Sequence, residues 1–286
     1  MKKVLVIGIK GMAGHLIFNK FKSENRYNVY GIARNIEPAE NIFNLDVSNT
    51  NALKKIIEEN HFDIIVNCIG ILNKDAEDNP DKAIWFNSYF PHYLEKIAKN
   101  TPTKIIHIST DCVFSGKKGN YTEVDFKDGI GFYAQSKALG EIVNHKDVTI
   151  RTSIIGPELN KNGIGLFHWF MTQPIDSQLK GFSQAFWSGI TTIELAKVIE
   201  WAIEENVVGL KQIAPRNKIN KFDLLNLFNE AFRDNKIKIL EDNHYKVDKS
   251  LISIVNEFTY EVPDYKVMIN EMKQWILLHK LYHYEI

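Results

Sequence analysis

Five short apolar runs alternate with helical patterns along the first half of the chain, and this alternation constrains the fold most strongly. The runs are Val4 to Ile7, Val29 to Ala33, Ile64 to Val66, Ile105 to Ile108 and Val148 to Ile150. Strands that are apolar at nearly every position are typical of a parallel sheet that helices cover on both faces. The alternation therefore predicts an α/β fold with a doubly wound parallel sheet, whose ligands gather at the carboxyl ends of the strands.

Helices connect these runs and continue through the second half of the chain. They are predicted over Gly11 to Lys22, Asn51 to Glu59, Ala83 to Lys99, Tyr133 to Asn144, Thr191 to Glu205, Lys221 to Arg233 and Tyr265 to His279. Further strands are predicted at Leu210 to Ala214 and Lys236 to Leu240, and the stretch from Pro157 to Gly181 is irregular. We expect a main domain formed by 1–152 and 187–214 and a smaller C-terminal lobe formed by 153–186 and 215–286.

Charge and cysteine content disfavour several classes of protein. The 286 residues include 35 basic and 35 acidic side chains, so no net positive field attracts nucleic acid or anionic lipid. No apolar stretch approaches the ~20 residues that span a bilayer, and Gly8 and Lys10 interrupt the apolar start as expected of a buried strand. The two cysteines, Cys68 and Cys112, do not suggest a disulfide scaffold. We therefore expect a protein of the reducing cytoplasm, with no membrane segment and no metal site.

Three glycines follow the first predicted strand at three-residue spacing: Gly8, Gly11 and Gly14. Glycine permits a tight turn from strand to helix and a close approach of backbone N–H groups to a pyrophosphate at the helix N-terminus. The spacing differs from the commoner G-x-G-x-x-G, but its position after the first strand predicts a dinucleotide cofactor. We expect the main domain to bind this dinucleotide and the smaller lobe to bind the substrate.

Two cations favour NADP(H) over NAD(H). Many NAD-binding proteins have a carboxylate at the end of the second strand for the ribose 2′-hydroxyl, whereas this strand ends at Arg34. Arg34 and Lys10 suit a 2′-phosphate better, so NADP(H) is the preferred cofactor and NAD(H) the alternative. The competing interpretation is that both are ordinary solvated cations. Asp46 is predicted either to accept a hydrogen bond from the adenine amino group or to cap the helix that follows it.

A tyrosine and a lysine lie four residues apart in Tyr133-Ala-Gln-Ser-Lys137. On a helix this spacing puts both side chains on one face, where an ammonium favours the ionised form of a phenol. An unperturbed phenol titrates near ~10, too high for efficient proton exchange at neutral pH. The hydroxyl of Thr110, just beyond a strand, completes a group that is suited to a carbonyl oxygen.

Together these motifs resemble the extended short-chain dehydrogenase/reductases, which have a Rossmann-type fold, and most closely their dTDP-4-dehydrorhamnose reductase branch. The matching motifs are Gly8/Gly11/Gly14, Asn67-Cys-Ile-Gly70, Asn87, Ile108-Ser-Thr-Asp-Cys-Val-Phe-Ser-Gly116, Tyr121-x-Glu123-x-Asp125, Tyr133-x-x-x-Lys137 with Gly140-Glu141, and Arg151-Thr-Ser153. The resemblance covers the first ~155 residues, and the remainder matches mainly in the order of its elements.

The resemblance implies NADPH-dependent reduction of a keto group, at C4, on a nucleotide-diphosphate-linked deoxyhexose for surface polysaccharide synthesis. It implies that Tyr133 protonates the forming alkoxide, that Lys137 tunes this phenol and holds the nicotinamide ribose, and that Thr110 binds the carbonyl oxygen. The full set of predicted cofactor contacts is Gly8, Lys10, Gly11, Met12, Gly14, Arg34, Asp46, Val47, Cys68, Ile69, Gly70, Asn87, Tyr133 and Lys137. The predicted substrate contacts are Cys112, Phe114, Arg151 and Trp187.

Two other functions stay open at this point. Cys112 stands two places past Thr110, where a related epimerase/reductase has a cysteine that moves protons with the help of a histidine, here His168. We favour packing for both residues, because no cation near Cys112 in the sequence lowers its pKa. A non-catalytic regulatory subunit that retains the fold is the third interpretation, and a homodimer is compatible with all three.

The second half offers further residues for the substrate. Phe167, Trp169, Phe182, Phe186 and Trp187 are predicted either to stack on a nucleotide base or to pack in the core. Arg216 is predicted either to contact a diphosphate or to face solvent.

Overall fold

The computed structural model describes residues 1–254 and 260–286 and contains a seven-stranded sheet with three smaller sheets. The strands are β1 (Lys3–Ile7), β2 (Asn28–Ala33), β3 (Ile42–Asn44), β4 (Ile64–Asn67), β5 (Lys104–Ser109), β6 (Val148–Arg151), β7 (Ile154–Ile155), β8 (Gln178–Phe182), β9 (Ala185–Trp187), β10 (Ile190–Thr191), β11 (Gly209–Gln212), β12 (Ile219–Asn220), β13 (Lys238–Asp242) and β14 (Val247–Asp248). The large sheet is parallel throughout, in the order β11-β6-β5-β4-β1-β2-β3. This order reverses direction between β1 and β4, which is where open α/β sheets bind ligands. The predicted Rossmann-type fold is confirmed.

Helices connect the strands and cover both faces of the sheet. They are α1 (Met12–Glu24), α2 (Thr50–Asn60), α3 (Asn73–Asp78), α4 (Pro80–Ala83), a π-helix (Ile84–Tyr89), α5 (Phe90–Ala98), a 3₁₀ turn (Asp111–Val113), α6 (Phe132–Leu139), α7 (Leu166–Met171), α8 (Thr192–Glu204), α9 (Lys221–Arg233) and α10 (Tyr265–His279). Side-chain caps begin several of them: Asn49 accepts from the amide of Ala52 at α2, and Asn220 accepts from that of Asp223 at α9.

Side chains on the two faces of strand β1 pack in two separate hydrophobic clusters. Val4 and Val6 pack in the cluster that includes α1 and α8, whereas Leu5 and Ile7 pack in the cluster that includes α2 and α5. Alternate residues of a strand point to opposite faces, so an apolar run of this kind is buried on both sides. This two-sided burial is the physical reason for the near-continuous apolar strands in the sequence.

Two predicted helices differ from the structure. The prediction over Ala83 to Lys99 is interrupted by the π-helix. The prediction over Tyr133 to Asn144 was too long, because α6 ends at Leu139. At Gly140 an added Cβ would lie 1.8 Å from the carbonyl oxygen of Asn87, so the chain needs glycine where α6 meets the π-helix. Beyond it, the backbone N–H of Ile142 donates to the hydroxyl of Thr149 on β6, which leads the chain out of the helix.

The second half adds short elements around a core that it shares with the main sheet. Strand β8 pairs with β13 in parallel, and β9 pairs with β12 and β14. One hydrophobic cluster contains Leu16 of α1, Phe228 of α9 and Met268 of α10. Because this core is continuous, the domain boundaries proposed from the sequence stay a prediction. Among the helices of the described residues, none is both long and apolar enough to cross a membrane.

Replacement of Gly14 by alanine tests the contact that sets the glycine loop. An added Cβ at Gly14 would lie 2.3 Å from the carbonyl oxygen of Gly8, which is backbone and cannot rotate away. We expect Gly14→Ala to lower the free energy of unfolding by about 1–3 kcal/mol, as overpacking does, in spite of alanine's higher helix propensity. Urea unfolding measures this difference.

Gly70→Ala is the matched control, because a Cβ there meets its nearest atom, of Leu72, only at 3.7 Å. We expect its stability to stay close to that of the native chain. Equal stability of Gly14→Ala and the native chain would show that α1 does not approach the loop this closely.

Candidate active site

A groove of about 210 Å³ crosses the carboxyl end of the sheet between β1 and β4. Its walls come from the loops that follow β1, β2, β3 and β4. The lining residues are Gly8, Lys10, Gly11, Ile32, Ala33, Arg34, Leu45, Asp46, Val47, Cys68, Ile69, Gly70, Ile71 and Phe86. Nine of the predicted cofactor contacts, among them Gly8, Arg34 and Gly70, therefore line a single depression.

The glycine loop gives this groove its floor. Gly8 has a φ of +96°, a left-handed conformation that favours glycine, and its carbonyl accepts from the N–H of Gly11 at 2.9 Å. Gly11 then caps α1 without a side chain, so the first N–H groups of this helix face the groove. Free amides at a helix N-terminus attract anions. This backbone fits a pyrophosphate, as predicted from the spacing.

The two predicted cations lie at the outer end of the groove. Lys10 donates to the carbonyl of Asn35 at 2.8 Å, and Arg34 donates to Asp46 at 3.3 Å. Both side chains are exposed, so they are free to turn toward a ligand. Burial by itself raises the pKa of Asp46, but hydrogen bonds from Ser48 and Arg34 lower it below its usual value. The next helix, α2, is capped by Asn49. Asp46 therefore does not cap that helix, which was the alternative role predicted for it.

Asn87, Met12 and Gly14 do not line the groove. Asn87 is fully buried, and its amide binds the backbone N–H and carbonyl of Ile71 at 2.8 and 2.9 Å and the hydroxyl of Ser136 at 3.0 Å. The predicted cofactor contact at Asn87 is therefore wrong: its side chain holds the loop after β4 instead. Met12 lies against Gly165 near the smaller lobe, and Gly14 acts through its packing on Gly8.

Thr110 and Tyr133 lie close together beyond strand β5. The hydroxyl of Thr110 accepts from the N–H of Cys112 at 3.1 Å and donates to Asp111 at 3.1 Å. Burial raises the pKa of Tyr133 above its usual range, neighbouring Cys112 and Asp111 add to this, and a hydrogen bond with Thr110 opposes it. The phenol is therefore protonated at neutral pH, the form that can donate a proton.

Lys137 does not acidify this phenol as the sequence predicted. Its Nζ donates to the carbonyl oxygen of Ile108 at 2.6 Å and lies 3.4 Å from Nε2 of His107. It is not among the groups that shift the pKa of Tyr133. Burial lowers the pKa of Lys137 to about 8, against the opposing influence of Glu141 and Cys68. The spacing put both residues on one helix, but a carbonyl acceptor on β5 fixes the ammonium end.

A second and larger cleft, of about 950 Å³, opens between the main sheet and the smaller lobe. Aromatic rings and lysines line it: Trp169, Phe182, Phe186, Trp187, Lys161, Lys180, Lys221 and Lys249. Asp111 is the carboxylate in its lining, so the cleft is basic. Burial lowers the pKa of Lys221 to about 8 while Asp111 and Cys112 oppose this. A basic cleft with aromatic walls suits an anionic ligand that carries a ring.

Two of the four predicted substrate contacts lie in this cleft. Trp187 lines it, with Nζ of Lys221 4.8 Å from the ring, and Cys112 borders both this cleft and a smaller one that reaches Tyr133. Of the aromatic residues considered, Phe167 is fully buried and belongs to the core. Arg216 is exposed and does not line the cleft.

Arg151 is not placed to contact a substrate, so that prediction was wrong, whereas Phe114 borders the smaller cleft that includes Cys112 and Tyr133, and its predicted substrate contact stays a prediction. Arg151 is buried and donates to both carboxylate oxygens of Glu141, at 2.8 and 2.7 Å, and to Gln212 at 2.8 Å. The Phe114 ring is fully buried, 5.0 Å from that guanidinium, and stacks on Tyr121 at 4.2 Å. The Arg151 network therefore holds β5, β6 and β11 together, and Phe114 packs between that guanidinium and Tyr121.

Cys112 and His168 lack the features of a proton-transfer pair. Burial and Asp111 raise the pKa of the Cys112 thiol to about 11, although Lys249 and a hydrogen bond with Thr110 oppose this. His168 bonds the hydroxyl of Tyr284 at 2.8 Å and the carbonyl of Lys161 at 3.2 Å, so both of its ring nitrogens are occupied. This agrees with packing as the role of both residues.

Sequence reasoning missed His107 and the lysines of the cleft. His107 is fully buried next to Lys137, within a strand that is otherwise mostly apolar, and a lone polar residue there was the available signal. Lys221 begins a helix more than a hundred residues after Thr110, so nothing local connects the two. Within the ranges 1–254 and 260–286, no group of three metal-binding side chains comes together.

Fold and site together define an α/β protein of the Rossmann type with a glycine-loop groove at the carboxyl end of its sheet and a basic aromatic cleft in addition. The family model described as RmlD substrate binding domain matches residues 1–171. The chain belongs to this family. The resemblance stated from the motifs is thereby confirmed.

Curated relatives match about half of the chain. The dTDP-4-dehydrorhamnose reductase of Aggregatibacter actinomycetemcomitans is 29% identical over 168 residues, which are 57% of this chain and 54% of that protein. Methionine adenosyltransferase 2 subunit beta of Bos taurus is 30% identical over 141 residues, 49% of this chain and 42% of that protein. The chain thus spans about half the length of the curated relatives that it matches.

Solved structures match over nearly the whole chain. A dTDP-4-dehydrorhamnose reductase from Bacillus anthracis in complex with NADP has a TM-score of 0.78 at 20% identity, with 95% of this chain and 98% of that chain covered. A hypothetical dTDP-4-dehydrorhamnose reductase from Sulfolobus tokodaii has a TM-score of 0.76 at 24% identity, with 92% and 98% covered. At these identities the likeness establishes the fold.

Replacement of Arg151 by methionine tests its structural role. The change leaves the carboxylate of Glu141 buried with fewer partners, so we expect a loss of about 3–5 kcal/mol in the free energy of unfolding. Arg151→Met combined with Glu141→Gln should recover part of this loss, since the uncompensated charge is gone. Urea unfolding at neutral pH gives all three values. Unchanged stability of Arg151→Met would return Arg151 to the list of candidate substrate contacts.

Proposed function

We propose that this protein uses NADPH to reduce a keto group, at C4, on a nucleotide-diphosphate-linked deoxyhexose in surface polysaccharide precursor synthesis. The observation that carries the proposal is the position of Tyr133, next to Thr110: Tyr133 packs on the cluster that contains Ile71, a residue of the glycine-loop groove, and shares a small cleft with Cys112, a residue of the basic aromatic cleft. One depression suits a dinucleotide and the other suits a ring-bearing anion. A proton donor therefore stands between residues that line each of them.

The groove fits a dinucleotide in three respects. The open N-terminus of α1 faces it, the contact of Gly14 on Gly8 leaves no room for a side chain, and Arg34 and Lys10 stand at its outer end. A nicotinamide dinucleotide supplies the hydride when bound. We assign Gly8, Gly11 and α1 to the pyrophosphate, and Arg34 and Lys10 to a ribose 2′-phosphate. The NADP complex of the Bacillus anthracis relative supports this preference.

Tyr133 and Thr110 act on the carbonyl oxygen. As the carbonyl carbon is reduced, its oxygen takes up negative charge and needs donors that are already in place. The hydroxyl of Thr110 turns its proton from Asp111 to this oxygen, and the O–H of Tyr133 gives the oxygen a proton. Since the raised pKa keeps Tyr133 protonated, the side chain is prepared for ketone reduction.

The lysines of the cleft support an anionic nucleotide sugar. Among the described contacts, Lys221 has no hydrogen-bond acceptor, and it lies near Asp111 and Cys112 at the catalytic end. Lys161 and Lys180 are placed along the same cleft beside Trp169 and Phe182. This supports a diphosphate held by ammonium groups, with the nucleotide base against the aromatic wall.

Two alternative functions have specific observations of their own. An epimerase/reductase needs a carbon base, and Cys112 borders the site, but burial keeps its thiol protonated. A regulatory subunit is favoured by the similarity to methionine adenosyltransferase 2 subunit beta. A pure binding role gives no reason for a protonated phenol next to a threonine hydroxyl between the two depressions. The cytoplasmic location and a homodimer stay predictions.

Tyr133→Phe tests the proposed proton donor. We expect it to lower kcat with nucleotide-linked 4-keto sugars by on the order of a hundredfold or more, since a positioned acid is lost. Affinity for NADPH should remain nearly unchanged. Absorbance at the NADPH band measures turnover, and NADPH fluorescence measures binding. Unaltered turnover would remove Tyr133 from the mechanism, and a native chain inactive on every such sugar would favour the regulatory subunit.

Arg34→Ala tests the cofactor preference. We expect weaker NADPH binding by about tenfold or more, the loss of one charge-assisted contact, and nearly unchanged NADH binding. Lys99→Ala is the control, because Lys99 is an exposed cation at the far end of α5 and does not line the groove. Equal loss for NADPH and NADH would show that Arg34 does not read the 2′-phosphate.

Solvent deuterium separates the reductase from the epimerase/reductase. In deuterium oxide with unlabelled NADPH, a reductase places no deuterium on carbon. We expect mass spectrometry to find no carbon-bound deuterium in the product. Deuterium on the carbons next to the former ketone would establish the epimerase/reductase, and Cys112→Ser would then be the variant that removes it.

A further inference from the structure

One buried histidine close to the site has no role in the reaction described above. His107, on β5, is fully buried between two polar side chains. Its Nδ1 lies 3.2 Å from Nδ2 of Asn67, and its Nε2 lies 3.4 Å from Nζ of Lys137. Asn67, His107 and Lys137 therefore form a continuous chain of contacts beneath the groove.

The orientation of the Asn67 amide follows from its other contact. The backbone N–H of Ile69 donates to Oδ1 of Asn67 at 3.2 Å. A backbone N–H can only donate, so the oxygen of the amide must lie on that side. The NH₂ group of Asn67 then faces Nδ1 of His107, and Nδ1 must accept.

The same reasoning fixes the proton of the His107 ring. Burial holds the pKa of His107 well below its usual value, so the ring is neutral. A neutral imidazole has one N–H and one acceptor nitrogen. With Nδ1 as the acceptor, the proton is on Nε2, which points at Lys137.

This tautomer has a consequence for Lys137. An N–H of His107 and an ammonium N–H of Lys137 repel each other, whereas the lone pair of a neutral amine can accept the Nε2 proton. An amine still donates to the carbonyl of Ile108, the partner at 2.6 Å. As an amine, Lys137 can both accept from Nε2–H of His107 and donate to the carbonyl of Ile108. As an ammonium, it loses the contact with His107.

We infer that Asn67 and His107 are positioning residues that hold the Nε2–H tautomer against Lys137 and thereby favour the amine over the ammonium. This inference rests on the proposed function only for the role given to Lys137, which is to hold the nicotinamide ribose.

The other groups that face Lys137 act in the opposite direction. Glu141, just past α6, and Cys68, after β4, both raise its pKa, while burial lowers it to about 8. Glu141 is already bound to Arg151, Lys127 and Ser109, and burial raises the pKa of Cys68 to about 12, so its thiol is neutral. Burial and the His107 N–H are therefore left as the influences that favour the amine.

The test is the titration of Lys137 itself. In protein labelled with ¹³C at the lysine ε-carbons, the Lys137 signal is assigned by its absence in Lys137→Met, and its midpoint is followed with pH. We expect a midpoint near 8 in the native chain. His107→Gln can turn its amide oxygen to the ammonium, so its midpoint should rise by about one pH unit, the scale of one charge-assisted hydrogen bond.

Two further variants serve as checks on the titration of Lys137. His92→Gln changes an exposed histidine that influences His107 only through its charge, and it should leave the midpoint unchanged. Asn67→Asp accepts from Nδ1–H and so reverses the tautomer, which should also raise the midpoint if His107→Gln does not fold. An unchanged or lower midpoint in His107→Gln, or in Asn67→Asp, would overturn the inference.

A kinetic readout separates this inference from the proposed function. The NMR midpoint is measured without substrate, so it holds even if no nucleotide sugar is turned over. If the reductase activity is found, the high-pH limb of its kcat/KM profile should move upward with the NMR midpoint in His107→Gln. A limb that stays in place while KM changes would show that His107 only maintains the packing.

Discussion

The contact of Gly140 on the carbonyl of Asn87 is the constraint on which the site depends. It lets α6 approach the π-helix so closely that a Cβ would lie 1.8 Å from that oxygen. Ser88 donates to the carbonyl of Ser136 at 2.7 Å, and Asn87 donates to the hydroxyl of Ser136 at 3.0 Å. These bonds hold α6 over the end of β5, and so Tyr133 reaches Thr110.

A buried ion pair supports the same region from below. Glu141 binds Arg151, Ser109 and Lys127, and thereby connects the end of α6 to β5 and β6. A buried pair of this kind adds little net stability compared with apolar packing, but loss of one partner costs a great deal. The arrangement therefore gives Arg151, the last residue of β6, a structural role.

The sequence predicted the elements whose cause is local. The two-sided burial of β1 produces a continuous apolar run, and the glycine loop produces glycines at three-residue spacing. Both patterns can be read from the sequence. Helix α9 was predicted with its observed limits because Asn220 caps it and an apolar face follows. The half-exposed edge strand β3 left no such pattern and was missed.

Side-chain contacts between residues that are distant in the sequence could not be predicted from the sequence. The spacing of Tyr133 and Lys137 was correct for a shared helix face, but the carbonyl of Ile108 and the ring of His107 decide where the lysine points. The aromatic residues of the cleft were candidates from the sequence, whereas Lys221 and Lys249 were not. They become neighbours of Cys112 only when the smaller lobe folds against the sheet.

The central claim is that the groove and the cleft meet at Tyr133 around a bound nicotinamide. A crystal structure of the protein with NADPH tests this most directly. We predict that the pyrophosphate lies on the N-terminus of α1 and that the nicotinamide ring lies beside Lys137, with its reactive carbon toward the Tyr133 hydroxyl. A cofactor bound away from the glycine loop, or a Tyr133 hydroxyl turned away from the nicotinamide, would contradict the account.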